Sequence, residues 1–181
     1  LVLPTGVMRW KRGVLVTAAP DLIYFEDRDN DGRADARTVL VTGFARTNPQ
    51  HSVNHPVYGL DNRVQVAYSG GGGALIFPEL FGDRGKPLTF PGHADSPAVD
   101  PRGRPVRIRF DPPRIEPRSG RTQFGNTFDP WGRYFTSSNN DHIRHEVVAA
   151  RYLERNPQLP VASAQHVISD HGGAGRGVPV P

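Results

Sequence analysis

The nine residues 27–35 carry the clearest metal-binding chemistry in the sequence. They read DRDNDGRAD, with carboxylates at alternate positions and Gly32 at the sixth position, where a calcium loop turns sharply. The twelfth position is Thr38, where an EF-hand has a bidentate glutamate, and the flanking segments resemble strands. The run therefore predicts a calcium-binding hairpin, and the alternative is an Asp/Asn/Gly turn that needs no metal. The metal-ligand candidates are Asp27, Asp29, Asp31, Asp35 and the backbone carbonyl of Arg33.

The loop at residues 50–55 places two histidines and an amide directly before a predicted strand. Loops in that position often line a functional site, and histidine is the side chain that most readily takes a proton near neutral pH. The candidate catalytic residues are His51, His55 and Asn54. The alternative is a histidine that only hydrogen-bonds to the backbone of its own loop.

A third polar cluster, NNDHIRH at residues 139–145, also follows a predicted strand. An arginine binds a carboxylate in bidentate fashion, so Arg144 is a candidate for binding an acidic cofactor, with His142 or Asn139 orienting it. Alternatively, Asp141 caps a following helix and leaves Arg144 and its neighbours in solvent.

The composition favours many turns and short strands around these segments. Glycine and proline account for 20 and 18 of the 181 residues, about twice their usual share, and hydrophobic residues for only 36%. Cysteine is absent, which excludes disulfides, thiolate zinc sites, cysteine nucleophiles and a C-x-x-C-H haem attachment, so no haem is expected in this segment.

The patterns of charged and apolar residues argue against a nucleic-acid partner and against a transmembrane segment. The net charge is +4, but the arginines are scattered among Asp and Gly with no interleaved aromatic platform, so we expect a solvated surface and no nucleic-acid partner. No apolar run approaches the roughly 20 residues that span a bilayer, so no transmembrane segment is expected.

One strand pattern occurs three times, at residues 13–17, 63–69 and 133–138, each introduced by a turn. The intervals of about 50 and then about 70 residues fit propeller blades of roughly 40 to 50 residues, one of them with an insertion. Partner strands are predicted at residues 22–25, 38–41, 74–77 and 106–110. The Gly- and Pro-rich residues 82–105 are predicted to be the insertion, a long loop over one face.

Helical spacing of apolar residues over 144–155 predicts one short helix, which Asn156-Pro157 would end. The predicted fold is thus all-β: a partial β-propeller of about three blades out of six, with one short helix. Residues 1–181 would form a fragment of a single propeller domain, because neither end has the features of a protein terminus.

Several segments resemble the PVC-type membrane-bound dehydrogenase family of bacteria. They are TGVMRWKRGVLVTAAPD at residues 5–21, the acidic run at 27–35, NPQH and YGLDN within 48–62, and FGNTFD with NNDHIRH within 124–145. They occur in the family's order and cover about two thirds of the chain.

The resemblance implies a propeller similar to soluble quinoprotein glucose and sorbosone dehydrogenases, binding pyrroloquinoline quinone and oxidising a sugar or polyol. It also implies an extracytoplasmic location and a downstream cytochrome c domain in the full-length chain. The PVC-type pattern matches His51 as the base, whereas the quinoprotein pattern of a histidine five positions before a leucine matches His55 and Leu60.

Two functions remain open at this point. The first is part of a quinone-dependent sugar or polyol dehydrogenase. The second is a non-catalytic propeller, stabilised by calcium, that binds glycan or protein. The residues alone do not decide between them, because a fold does not settle a function.

Overall fold

The computed structural model describes residues 1, 3–70 and 77–169, and this part of the chain is built from three four-stranded antiparallel sheets. The first sheet contains β1 (Gly6–Trp10), β2 (Gly13–Ala18), β3 (Asp21–Glu26) and β4 (Ala36–Thr42). The second contains β5 (Asn54–Tyr58), β6 (Val64–Ala67), β7 (Val106–Phe110) and β8 (Pro113–Pro117). The third contains β9 (Phe124–Phe128), β10 (Tyr134–Ser137), β11 (Arg144–Glu146) and β12 (Gln165–Val167). The all-β class is confirmed.

The helical segments described are short. A 3₁₀ turn covers Pro49–His51, and two α-helices, α1 (Pro78–Phe81) and α2 (Ala150–Arg155), lie outside the sheets. Within the described residues, no helix has the length and apolar character needed to cross a membrane.

Each sheet is a simple meander in which strands that follow one another along the chain are hydrogen-bonded neighbours. The strand pattern that repeats three times in the sequence forms β2, β6 and β10, so it marks the second strand of every sheet. The predicted strands at residues 22–25, 38–41 and 106–110 are also confirmed, as β3, β4 and β7. The predicted strand at 74–77 falls largely outside the described residues.

The first strands of the sheets contact one another in series. β1 lies against β5, and β5 lies against β9. At the first of these contacts the backbones approach so closely that a Cβ on Gly6 would lie 2.6 Å from the backbone nitrogen of His55. Only glycine fits this position without moving the neighbouring strand.

An apolar cluster fills the space between the first and second sheets. Fully buried members include Leu15 and Leu22 from the first sheet, and Val64, Val66 and Ile108 from the second. On β6 and β7 these residues alternate with Gln65 and Arg107, which therefore point to the opposite face of the second sheet.

That opposite face is joined to the third sheet by polar contacts. The guanidinium of Arg118 donates to Gln65 at 2.9 Å and to Glu146 of β11 at 2.9 Å, and it lies 3.6 Å from the centre of the Tyr134 ring. The side chain of Glu146 is only 2% exposed. The two faces of the second sheet thus make interfaces of opposite character.

The segment between β6 and β7 contains the predicted insertion at residues 82–105, and it is more than a loop lying over one face. Isolated bridges join Thr42 to Thr89 and Leu88 to Val99. Leu88 and Phe90 are buried in the apolar cluster of the first interface. The insertion is therefore anchored by its own core residues.

The prediction of one helix over residues 144–155 is wrong at its start. Residues 144–146 form β11, which pairs with β10 and β12, and helix α2 begins at Ala150. Helical periodicity is a local signal, whereas the backbone pairing of this segment with β10 and β12 makes it a strand.

Candidate functional site

A cleft of about 830 Å³ opens at one edge of the second and third sheets. Its walls come from the segment before β5, the segment after β6, the segment before β9 and the segment after β10. In an antiparallel pair the start of one strand and the end of the next lie at the same edge, which brings these segments together in two pairs. The contacts between β5 and β9 bring the two pairs together. The insertion supplies the remaining wall.

The cleft is strongly cationic. Its lining contains five permanent cations and one carboxylate, Asp100. The cations are Arg84, Lys86, Arg102, Arg121 and Arg144. Among the described residues only Arg144 of these five forms an ion pair. A cleft lined by one sign of charge concentrates ligands of the opposite sign.

His51 lies in this cleft and is held by a neighbouring hydroxyl. Its Nδ1 is 2.8 Å from the Oγ of Ser69, which also lines the cleft. The 3₁₀ turn that carries His51 is capped by Asn48, whose side chain accepts a hydrogen bond from the backbone nitrogen of Gln50 at 2.9 Å. No described residue bonds to Nε2, so that nitrogen is free to meet a ligand.

Arg144 lies in the same cleft and is paired with Asp141 through its Nε, which donates to Oδ2 at 2.8 Å. The alternative of Asp141 as a helix cap is wrong, because β11 follows it and the N-cap of α2 is Ala149. Asp141 instead closes a turn with Ser138, whose backbone nitrogen donates to the Asp141 carbonyl at 2.9 Å.

Two other predicted catalytic residues are not in the cleft lining. The side chain of Asn54 bonds to the carbonyl of Gln123 at 3.1 Å and to the nitrogen of Gly125 at 2.9 Å, which ties β5 to β9. His55 is exposed on β5, with a positive φ of 46°, and its carbonyl accepts from Asn126 at 2.8 Å. Their catalytic roles stay predictions, and their hydrogen bonds join the second sheet to the third.

The remaining members of the third predicted cluster lie beside the cleft. Asn139 is exposed, and its backbone nitrogen donates to the side chain of Gln123 at 3.2 Å. Its neighbour Asn140 lines the cleft, whereas Asn139 and the exposed His142 are outside the lining residues. The structure therefore groups His51 with Arg144 and leaves the ring-orienting roles of Asn139 and His142 as predictions.

A buried phenol forms part of the same cleft. Burial raises the pKa of Tyr68, and this effect outweighs the hydrogen bond from the backbone nitrogen of Ala45, which lowers it. That bond is 2.9 Å long. Tyr68 is therefore a neutral wall of the cleft at physiological pH.

The acidic hairpin is a separate cluster on the first sheet, between β3 and β4. One carboxylate oxygen from each of Asp27, Asp29 and Asp35 lies within 4.8 Å of the others. Asp31 is outside this group, and its Oδ1 accepts a hydrogen bond from the backbone nitrogen of Arg33 at 2.7 Å. Asp27 and Asp35 also accept backbone hydrogen bonds within the loop. Three of the four predicted carboxylates converge, and calcium binding stays a prediction.

The sequence did not predict most of the cations that line the cleft, because the arginines are scattered along the chain in the pattern of ordinary surface charge. Arg84, Lys86 and Arg102 all fall in the insertion, and long loops carry functional groups more often than cores do. The grouping of these three cations within one long insertion is the sequence feature that could have predicted a binding surface there. Ser69 had no such signal, since nothing in its sequence context pairs it with His51.

Comparison with known families gives one match. A family model described as Domain of unknown function (DUF7133) matches residues 1–180. Comparisons with curated proteins and with solved structures returned no match. The match covers nearly the whole chain and says nothing about its activity.

Proposed function

The chain belongs to the DUF7133 family of domains of unknown function, and we propose that it forms about three blades of a six-bladed β-propeller. Its three four-stranded meanders are what propeller blades are made of, and their first strands contact one another in series as they do around a propeller axis. Residues 1–181 then form part of one propeller domain.

We further propose that this propeller is a quinone-dependent sugar or polyol dehydrogenase. The observation that carries the proposal is the cleft that brings His51, a candidate base, together with Arg144, a candidate carboxylate ligand. The two residues are 93 positions apart in sequence. Propeller loops that converge at one edge commonly form the functional site.

The cleft suits an acidic quinone in both size and charge. Ligand pockets usually measure about 300 to 1,000 Å³, and this one holds about 830 Å³. Pyrroloquinoline quinone carries several carboxylates, which Arg121 and Arg144 on the third-sheet wall can bind through charge-assisted hydrogen bonds. When bound, such a quinone supplies the hydride acceptor.

His51 supplies the proton acceptor for that chemistry. Oxidation of an alcohol removes the hydroxyl proton and a hydride from the same carbon, leaving a carbonyl. The hydrogen bond between Nδ1 and Ser69 orients the imidazole and leaves Nε2 to take the hydroxyl proton. Arg144, already paired with Asp141, is held in place to bind an anion.

The test uses the whole protein reconstituted with pyrroloquinoline quinone and calcium. We expect reduction of an artificial dye in the presence of an aldose or polyol, and we expect His51→Ala to lower turnover by at least about a hundredfold. His93→Ala, in the insertion but outside the cleft lining, is the matched control and should keep its rate. Calorimetry that detects no quinone binding would contradict the proposal.

The second function is a non-catalytic propeller, stabilised by calcium, that binds glycan or protein, and the three converging aspartates of the hairpin are its candidate calcium site. Without a twelfth-position glutamate, the site should bind Ca²⁺ with a Kd of about 10⁻⁴ to 10⁻³ M, which suits the extracytoplasmic location we propose. Calcium at such concentrations would raise the melting temperature by mass action.

The calcium proposal has its own controls. Asp29→Ala together with Asp35→Ala should abolish the rise in melting temperature, whereas Asp31→Asn should retain it, because the Asp31 carboxylate lies outside the converging group. Identical titrations of the double variant and the wild type would count against a metal site. Calcium binding without quinone binding would favour the non-catalytic function.

A further inference from the structure

The wall that the insertion contributes to the cleft carries unpaired positive charge. Arg84, Lys86 and Arg102 line it with exposed side chains, and none of them forms an ion pair within residues 1, 3–70 and 77–169. Asp100, the one carboxylate in the lining, accepts a hydrogen bond from the backbone nitrogen of Arg102 at 2.9 Å. Three cations therefore face the cleft, and Asp100 is the single carboxylate of the described lining that offsets their charge.

The backbone that carries these cations is anchored. The nitrogen of Lys86 donates to the carbonyl of Gly43 at 2.9 Å, and that of Arg46 donates to the carbonyl of Asp83 at 2.7 Å. Between them, Gly85 has a φ of +77°, and a Cβ there would lie 2.7 Å from the nitrogen of Ala45. Leu88 is fully buried next to this segment. A preorganised wall binds an anion at lower entropic cost than a mobile loop.

The rest of the lining narrows the class of ligand. Tyr68 is the single Phe, Tyr or Trp among the described residues that line the cleft, and it is buried with its hydroxyl bonded to the backbone nitrogen of Ala45. Single-stranded nucleic acid stacks its bases on exposed aromatic side chains, and the lining residues described include no exposed Phe, Tyr or Trp. The neutral polar groups are hydroxyls and amides, among them Ser69, Ser138 and Asn140. These groups suit a small ligand rich in hydroxyls.

We propose that the insertion wall makes the cleft selective for an acidic sugar, whose anionic group is bound by Arg84, Lys86 and Arg102. The anionic group is a carboxylate or an ester-linked sulfate or phosphate, since all three present several oxygen acceptors to a cation. The oxidation of this sugar rests on the proposed function, but its binding does not. The inference thus names the substrate class of the same cleft.

The experiment measures binding to the full-length protein by calorimetry. The probes are methyl β-glucuronide, glucose 6-sulfate and glucose 6-phosphate, with neutral methyl β-glucoside as the reference. At least one anionic probe should bind about tenfold more tightly than the glucoside, and its affinity should fall as salt is raised. The probe that binds best distinguishes a uronic acid from a sulfated or phosphorylated sugar.

Charge-matched variants separate a site from general attraction. Lys86→Gln with Arg102→Gln should weaken the best anionic probe by about tenfold and leave the glucoside unchanged. Arg9→Gln with Arg155→Gln makes the same change in net charge outside the cleft lining and should have no effect. The single variant Lys86→Gln, at an exposed side chain, repeats the test should the double variant not fold.

The outcomes also separate this inference from the proposed function. Equal affinity for charged and neutral probes, or equal loss in both double variants, would overturn the acidic-sugar inference even if the quinone binds and neutral sugars are oxidised. Tight, salt-sensitive glucuronide or sugar-ester binding that depends on Lys86 and Arg102 supports it, even where calorimetry finds no quinone binding.

Discussion

The two faces of the second sheet make interfaces of opposite kinds. Towards the first sheet, residues such as Val64, Val66 and Ile108 join an apolar cluster, and towards the third, Gln65 and Arg107 join a network of charged and amide groups. The Nε of Arg107 lies 3.1 Å from Oε2 of Glu116, and its Nη1 lies 3.4 Å from Oδ2 of Asp61. Both interfaces arise from the same strands, because side chains alternate along each strand.

The difference matters for the cleft. Apolar contacts depend mainly on buried area and volume, whereas hydrogen-bonded ion pairs require particular distances and directions. The network lies beside the cleft: Glu146 is two residues after Arg144, and it accepts from the backbone nitrogen of Gly120, next to Arg121, at 3.0 Å. The polar interface thereby holds the third-sheet wall of the cleft against the second sheet.

The largest expected effect is a cavity in the apolar interface. Phe44 is fully buried, and its ring packs edge-on to Tyr68 with the centroids 5.2 Å apart. Phe44→Ala should lower the free energy of unfolding by about 4 kcal/mol, as measured by denaturant titration of the whole protein. Phe77→Ala, at a side chain 63% exposed, is the control and should cost well under about 1 kcal/mol. Similar costs for both variants would contradict an apolar core at this interface.

A somewhat smaller effect is expected from breaking the ion pair in the polar interface. Arg118→Met should cost about 3 kcal/mol, because it leaves the buried carboxylate of Glu146 without its cation. Adding Glu146→Gln removes that charge and keeps an acceptor for the Gly120 nitrogen, so most of the loss should be recovered. Additive losses in this double-mutant cycle would show that the two residues do not act as a pair.

The two buried tyrosines give a smaller contrast. The hydroxyl of Tyr68, in the apolar interface, accepts from the Ala45 nitrogen, whereas the hydroxyl of Tyr134, in the polar interface, has no hydrogen-bond partner among the described residues. Tyr68→Phe should therefore cost about 1.5 kcal/mol, and Tyr134→Phe close to none, since phenylalanine keeps the ring under Arg118. A larger cost for Tyr134→Phe than for Tyr68→Phe would contradict the conclusion that only the Tyr68 hydroxyl makes a stabilising hydrogen bond.

The smallest effect is a loss of stability at alkaline pH. Burial raises the pKa of both Tyr68 and Tyr134 above the ordinary 10.0, with nearby Arg118 partly opposing this at Tyr134. Folding therefore favours the neutral phenols, and their contribution is full below pH 10.0 and is lost as pH rises towards the raised values. The free energy of unfolding should therefore fall as pH rises above 10.0, with both tyrosines contributing to the slope. Denaturant titrations from pH 9 to about 11 measure how steeply the free energy of unfolding falls with pH, and Tyr134→Phe should make this fall less steep. An unchanged slope in that variant would contradict a contribution from Tyr134.

The sequence by itself determined the all-β class and the second strand of every sheet, because turn residues and β-branched runs are local signals. It also identified the acidic hairpin, whose carboxylates are neighbours along the chain. Strands with atypical composition were not predicted: β8 begins and ends with proline, and β9 contains Gly125 and Asn126. Pairing with a neighbouring strand stabilises such segments, and that pairing is a tertiary interaction.

The tertiary structure alone decided which polar residues meet. His51 and Arg144 were both candidates from the sequence, but Ser69, Arg121 and the insertion cations joined them only once the loops converged at one sheet edge. The same holds for β11, which helical periodicity predicted to be part of a helix and which is a strand because it pairs with β10 and β12. Local patterns record what each residue prefers, whereas a site is made by contacts between residues far apart in the chain, and those depend on how the sheets pack.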